Sequence, residues 1–112
     1  MKFLLSAFFV LLFGTELCSA TPNSVVGTIT LLRDLTLLQA DGRLQGVVLV
    51  QLSNPFTSGC IWAWISPSDK VSSAFVVAAK TTGATVTLSY DSAIPSPWGE
   101  ATVCGITSID LN

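Results

Sequence analysis

From residue 25 to residue 111 the hydrophobic period of the chain switches from two to 3.6 and back to two. In VVGTITLLRD (25–34), Gly27, Ile29 and Leu31 share one face and Thr28 and Thr30 the other, the alternation of a half-buried strand. LTLLQ (35–39) either extends that strand or bends it. QADGR (39–43) contains Asp41-Gly42, a strong hairpin-turn signal. LQGVVLVQL (44–52) is apolar on both faces, as a central strand would be, and Gly46 inside it marks a bulge or a close backbone approach. SNPFTSG (53–59) has loop composition, and CIWAWI (60–65) has the aromatic and β-branched content of a third strand.

A helix is predicted over 67–81. Ser66 caps it, Pro67 takes the first helical position, and Asp69 stands where a capping box places an acid. Val71, Ala74, Phe75, Ala78 and Ala79 recur at helical spacing on one face. Lys80 falls in the last turn and Gly83 is the stop signal. Val76 and Val77 widen the apolar stripe, so both sides of the helix are expected to meet protein, with Val76 and Val77 at an interface.

ATVTLSY (84–90) sets Val86, Leu88 and Tyr90 against Thr85, Thr87 and Ser89. DSAIPSPWG (91–99) is a loop with two prolines. EATVCGITSIDL (100–111) closes the series, with Cys104 and Ile106 on one side and Val103 and Ile109 on the other. The order β-β-β-α-β-β is that of the OB-fold, a five-stranded, partly open Greek-key barrel with its helix between strands three and four. The competing architecture is a small open α+β sheet.

The first twenty residues stand apart. Lys2 precedes an apolar run from Phe3 to Phe13, and small residues follow at Ser19 and Ala20: the layout of a signal peptide cleaved after Ala20. The run is too short to span a bilayer, which takes about 20 apolar residues. A lipoprotein reading at Cys18 lacks the small residues expected before it, since Glu16 and Leu17 stand there. Residues 21–112 then form one small domain with two cysteines. In an exported chain, Cys60 and Cys104 read as one disulfide, worth about 3–4 kcal/mol in the chain-entropy view; two unpaired core thiols are the alternative.

Net charge is −2, and no basic stripe is present, which argues against nucleic acid. With 50% hydrophobic and 11% charged residues, a domain this small has apolar side chains left over for an interface. The chain has no histidine, its thiols are expected to be oxidised, and its acids are scattered singly, so neither a catalytic set nor a metal or cofactor site is expected. Asp34, Asp41, Asp91 and Asp110 read as turn or strand-end residues.

The aromatic residues carry more. Trp62 and Trp64 share a strand face with Cys60, which directs both indoles inward if Cys60 is bridged, with Trp64 at an open edge where a neighbouring chain could cover it. Trp98 lies in the loop between the last two strands, a recognition edge in OB-folds, and suits stacking on a sugar ring or a peptide. Tyr90, Asp91 and Ser92 at the start of that loop complete the expected ligand-binding set.

SGCIWAWI, the helix segment SAFVVAAKTTG, TVTLSY and ATVCGITSIDL together resemble small exported bacterial OB-fold proteins of the kind that form AB5-toxin B subunits, nearest to the subtilase-cytotoxin and pertussis-like group. The resemblance covers about 56–111, in element order and cysteine placement, and no sugar-binding motif transfers with it. It implies a non-catalytic module that assembles into a ring and binds glycans. The expected function is therefore a secreted binding module that self-associates and recognises a glycan or surface receptor. The alternative is a structural or interaction subunit, an accessory piece or inhibitor, of a larger exported protein. A small exported enzyme with a Ser-Lys or carboxylate site is the remaining class.

Overall fold

A computed structural model describes residues 23–112; the leader assigned to residues 1–20 lies outside them. The elements are β1 (Asn23–Asp34), β2 (Val48–Leu52), β3 (Trp62–Ile65), α1 (Lys70–Thr82), β4 (Thr85–Pro95) and β5 (Val103–Leu111). The strands form one sheet that closes on itself in the order β1-β2-β3-β5-β4. Every pairing is antiparallel except that of β3 with β5, which is parallel. The expected OB-like, mainly β fold with one helix is what the chain forms, in place of the open α+β sheet.

The ring has an interior and an exterior cluster. Inside lie Ile29, Val50, Leu52, Ala63, Ile65, Val86, Leu88 and Tyr90, with Val76 and Ala79 of α1 at one end. The Cys60–Cys104 disulfide is part of this cluster and joins the approach to β3 with β5. Outside, Leu35, Val47, Leu49 and Val103 are buried beneath Leu44, Trp62, Trp64 and Trp98.

Local irregularities decide which side chain falls in which cluster. Thr30 has no partner between the pairs Ile29–Leu52 and Leu31–Gln51. Parity therefore shifts, so Leu32 packs against the interior while Leu31 is exposed. Thr107 is skipped between Ser89–Ser108 and Tyr90–Ile106, and Ile109 joins the interior cluster with Cys104 rather than facing away from it. At the entry to β3, the N–H groups of both Ile61 and Trp62 donate to Thr102 O, at 2.7 and 3.2 Å. That doubling reverses the expected inward placement of the tryptophans. Cys60, Ala63 and Ile65 go inside, and Trp62 and Trp64 go out.

The β1–β2 connection is not a two-residue hairpin. Asp41 starts a tight helical turn, with Leu44 N–H donating to Asp41 O, and its carboxylate accepts from Arg43 N–H at 2.9 Å. Gly46 has φ +79°, and a Cβ there would stand 3.0 Å from Pro67 Cβ, so the close approach expected at this glycine is with the segment before α1. The helix starts three residues later than the sequence suggests. Asp69 is the cap, accepting from Ser72 N–H at 3.0 Å and Ser72 Oγ at 2.7 Å, while Ser66 Oγ bonds Ser68 in the turn before it. Gly83 ends the helix in the left-handed region at φ +68°, as expected.

The buried face of α1 is not the expected one. Val76 and Ala79 are buried, whereas Val71, Phe75 and Val77 are exposed. Val76 is thus a core residue rather than an interface residue. A helix with valine or alanine on every side gives its pattern little power to choose which face packs.

Candidate functional site

The outer faces of β2, β3 and β5 carry the candidate site. Register sets its rows: Arg33 lies opposite Leu49, Leu49 opposite Trp64, and Trp64 opposite Gly105, while Trp62 lies opposite Val103. The Arg33 guanidinium carbon stands 4.8 Å from the centroid of the Trp62 ring, close enough for a cation–π contact. Trp62, Trp64 and Trp98 are all half-buried and all pack on the Leu35–Val47–Leu49–Val103 cluster.

Trp98 reaches this face from a short, well-tied turn. Gly99 N–H donates to Ser96 O at 2.8 Å, and Glu100 N–H donates to the buried Ser96 Oγ at 2.9 Å. Gly99 takes φ +88°, which a side chain would resist. The turn therefore presents the indole on fixed backbone.

Beside Trp64 is a cavity of about 120 Å³, with Ser66, Asp69 and Ser72 on one wall and Ile94 and Ile106 on another. The hydrogen bonds from Ser72, side chain first and then backbone, hold the Asp69 carboxyl below its ordinary range, so it is ionised at neutral pH. Trp64 Nε1 is buried and donates to nothing among the described residues. Ile94 rests against Gly105, where a Cβ would lie 2.7 Å from Ile94 Cγ2.

The structure separates the residues expected to bind with Trp98. Tyr90 is fully buried, and its hydroxyl accepts from Thr57 N–H at 2.7 Å and shares a hydrogen bond with Thr57 Oγ1 at 2.9 Å. Its ring meets Phe56 edge to face, 4.9 Å between centroids. Tyr90 thus anchors the 53–59 loop over one end of the barrel and cannot meet a ligand. The alternation through Val86 and Leu88 already carried that signal. Asp91 and Ser92 belong to β4 rather than to a loop. Asp91 pairs with Gly105, and its carboxylate accepts from Ala93 N–H at 2.8 Å, while Ser92 is exposed where the strand bulges before Pro95. Trp64 packs on its own chain, and Val77 lines a different cavity from it.

Arg33 and the outward Trp62 are the site residues that sequence reasoning missed. The side of Arg33 is set by the unpartnered Thr30 and that of Trp62 by the doubled donors at Ile61 and Trp62, neither of which leaves a trace in hydrophobic alternation. A further groove of about 390 Å³ lies along Gln51–Phe56 and Ile61. Its polar side chains serve the fold: Gln51 Nε2 donates to Ile61 O, Asn54 Nδ2 to Val26 O, and Ser53 Oγ accepts from Thr28 N–H. Among the described residues no three His, Cys, Asp or Glu side chains converge as a metal site would require, and no helix is long and apolar enough to cross a membrane. No family, no curated protein and no solved structure compared with the chain matches it.

Proposed function

We propose that the chain is an exported, non-catalytic binding module that self-associates and recognises a glycan through the face holding Trp62, Trp64 and Trp98. The carrying observation is the gathering of all three tryptophans of the chain over one outer apolar cluster. An indole offers a flat apolar surface with a polar N–H at its edge, which suits the C–H face and hydroxyls of a sugar ring. The surface of strands two and three with the adjoining first and last loops is where OB-folds take oligosaccharides and oligonucleotides. A net charge of −2 disfavours the oligonucleotide. Arg33 and the ionised Asp69 at the margin supply hydrogen-bonding groups for sugar hydroxyls. The disulfide indicates an oxidising compartment, consistent with export by the signal-like leader. The resemblance to AB5-toxin B subunits in element order and cysteine placement supports the same reading.

The test is a glycan array read with the native protein, Trp98→Ala and Trp62→Ala. Each substitution is expected to weaken binding about tenfold, the worth of one aromatic contact. An array silent for the native protein at high concentration would sink the ligand assignment.

A second reading, an interaction subunit of a larger exported protein, is favoured by the exposure of Leu37, Leu38, Val71, Phe75 and Val77. Co-purification of one stoichiometric exported partner with the native chain, lost in Val77→Asp, would favour it.

A further inference from the structure

The largest cavity described is a groove of about 580 Å³ between the start of α1 and the end of β1, with Leu32, Leu37, Val48 and Val77 on its walls. Asp34 and Lys70 also line it. Among the described residues the one ion pair is Arg43–Asp41, and neither Asp34 nor Lys70 has a partner among them. Next to the groove, the turn Thr36–Gln39 holds two leucines outward. Gln39 N–H donates to Thr36 O at 3.1 Å and Leu38 N–H to Thr36 Oγ1 at 3.4 Å, while Leu37 is 76% and Leu38 94% exposed. Leu38 therefore stands out as an apolar knob beside an apolar groove that no described residue fills, with Leu37 on the wall between them.

We propose that this patch is a two-fold interface between two copies of the chain, in which Leu38 of each copy enters the groove of the other. An isologous contact requires that a single patch be complementary to itself. This patch meets the requirement twice. Knob and groove are adjacent, and the patch carries one acid, Asp34, and one base, Lys70, so its charges are complementary to those of a second copy. An Asp34–Lys70 pair between the copies, repeated by the axis, adds register to an otherwise apolar contact, because a slipped arrangement would bring like charges together. The expectation that Val77 contributes to an interface is kept here, and Val76, buried in the core, has no part in it. The inference rests on the self-association proposed above, gives it a two-fold surface in place of the ring that the resemblance implies, and is independent of the tryptophan face.

Sedimentation velocity over a concentration series on the disulfide-bonded protein tests it. The native chain is expected to form dimers. Leu38→Asp should weaken the dimer about thirtyfold or more and melt as the native chain does at concentrations where the native chain is monomeric, since its side chain contributes little to the isolated fold. Asp34→Lys and Lys70→Asp should each weaken it about five- to tenfold, and the double swap should restore it to within about threefold of native. An acid at position 70 suits the first turn of α1, so that variant folds. Trp98→Ala should leave the dimer unchanged. A native monomer at every concentration, a dimer indifferent to Leu38→Asp, a double swap no stronger than the single variants, or a closed ring of more than two copies would each overturn the proposal. None of these would touch the glycan assignment, which fails only on the array.

Discussion

The two hydrophobic clusters of this small barrel share strand β3 but are built differently. Inside, β3 contributes Ala63 and Ile65, each almost fully buried in a packed interior. Outside, it contributes Trp62 and Trp64, half-covered and resting on four buried aliphatic residues. A five-stranded barrel has little interior volume, so the small and branched residues go in and the indoles stay out. The lesson is that the largest aromatic residues of a short strand need not mark its core side. Here they build an outward platform, while a medium-sized interior supplies the stability.

That comparison breaks most severely if the interior cross-link is removed. The bridge links residues 44 positions apart, so replacing both Cys60 and Cys104 with alanine should cost about 4 kcal/mol in urea unfolding. Leu88→Ala, at a fully buried interior position, should cost about 3 kcal/mol. The outer counterpart, Trp98→Ala, should cost only about 1 kcal/mol because the indole is half-exposed, while taking most of the effect on glycan binding. Equal losses at Leu88 and Trp98 would show that the outer cluster is a second structural core rather than a platform. Tyr90→Phe should likewise cost about 1 kcal/mol by leaving Thr57 N–H without its partner, and should leave glycan binding unchanged; lost binding would return Tyr90 to the site.

The smallest effect concerns the margin of the outer face. The Asp69 carboxyl is held below its ordinary range by Ser72, so its capping contribution is complete above the unfolded value and is lost as pH falls through the folded one. Thermal melts of the native protein should drop slightly below about pH 4. Asp69→Asn, which keeps a capping oxygen but does not titrate, should drop less over the same range.

Element order was legible because each segment carries its own period and its own punctuation. The disulfide followed from two cysteines in an exported-type chain, and the end of α1 from Gly83. Trp98 was legible as a loop residue facing outward. The faces were harder to read. Thr30, Thr107 and the doubled donors at Ile61 and Trp62 each insert a residue into a ladder, and each flips the alternation beyond it. None has a glycine or proline to announce it. The start of α1 was misread for a different reason: Ser66-Pro67-Ser68 satisfies capping rules locally, but Pro67 is pressed against Gly46 and the chain turns once more before Asp69. Tyr90 was misassigned by grouping it with the loop, although β4 runs on to Pro95 and the alternation already placed Tyr90 inside.

The parallel pairing of β3 with β5 bears on how the molecule comes to be folded. β5, last of the five in chain order, inserts between β3 and β4 rather than adding to an outer edge. Until it arrives, β1 to β4 can make only an open sheet with β3 and β4 as two bare edges, each a template for another chain. Both the closing contacts and the second cysteine of the bridge reside in β5. The covalent lock can therefore form with its native partner only once the topology is nearly complete, so oxidation reports on folding rather than directing it. The interval before β5 docks is the period in which the chain is most exposed to aggregation.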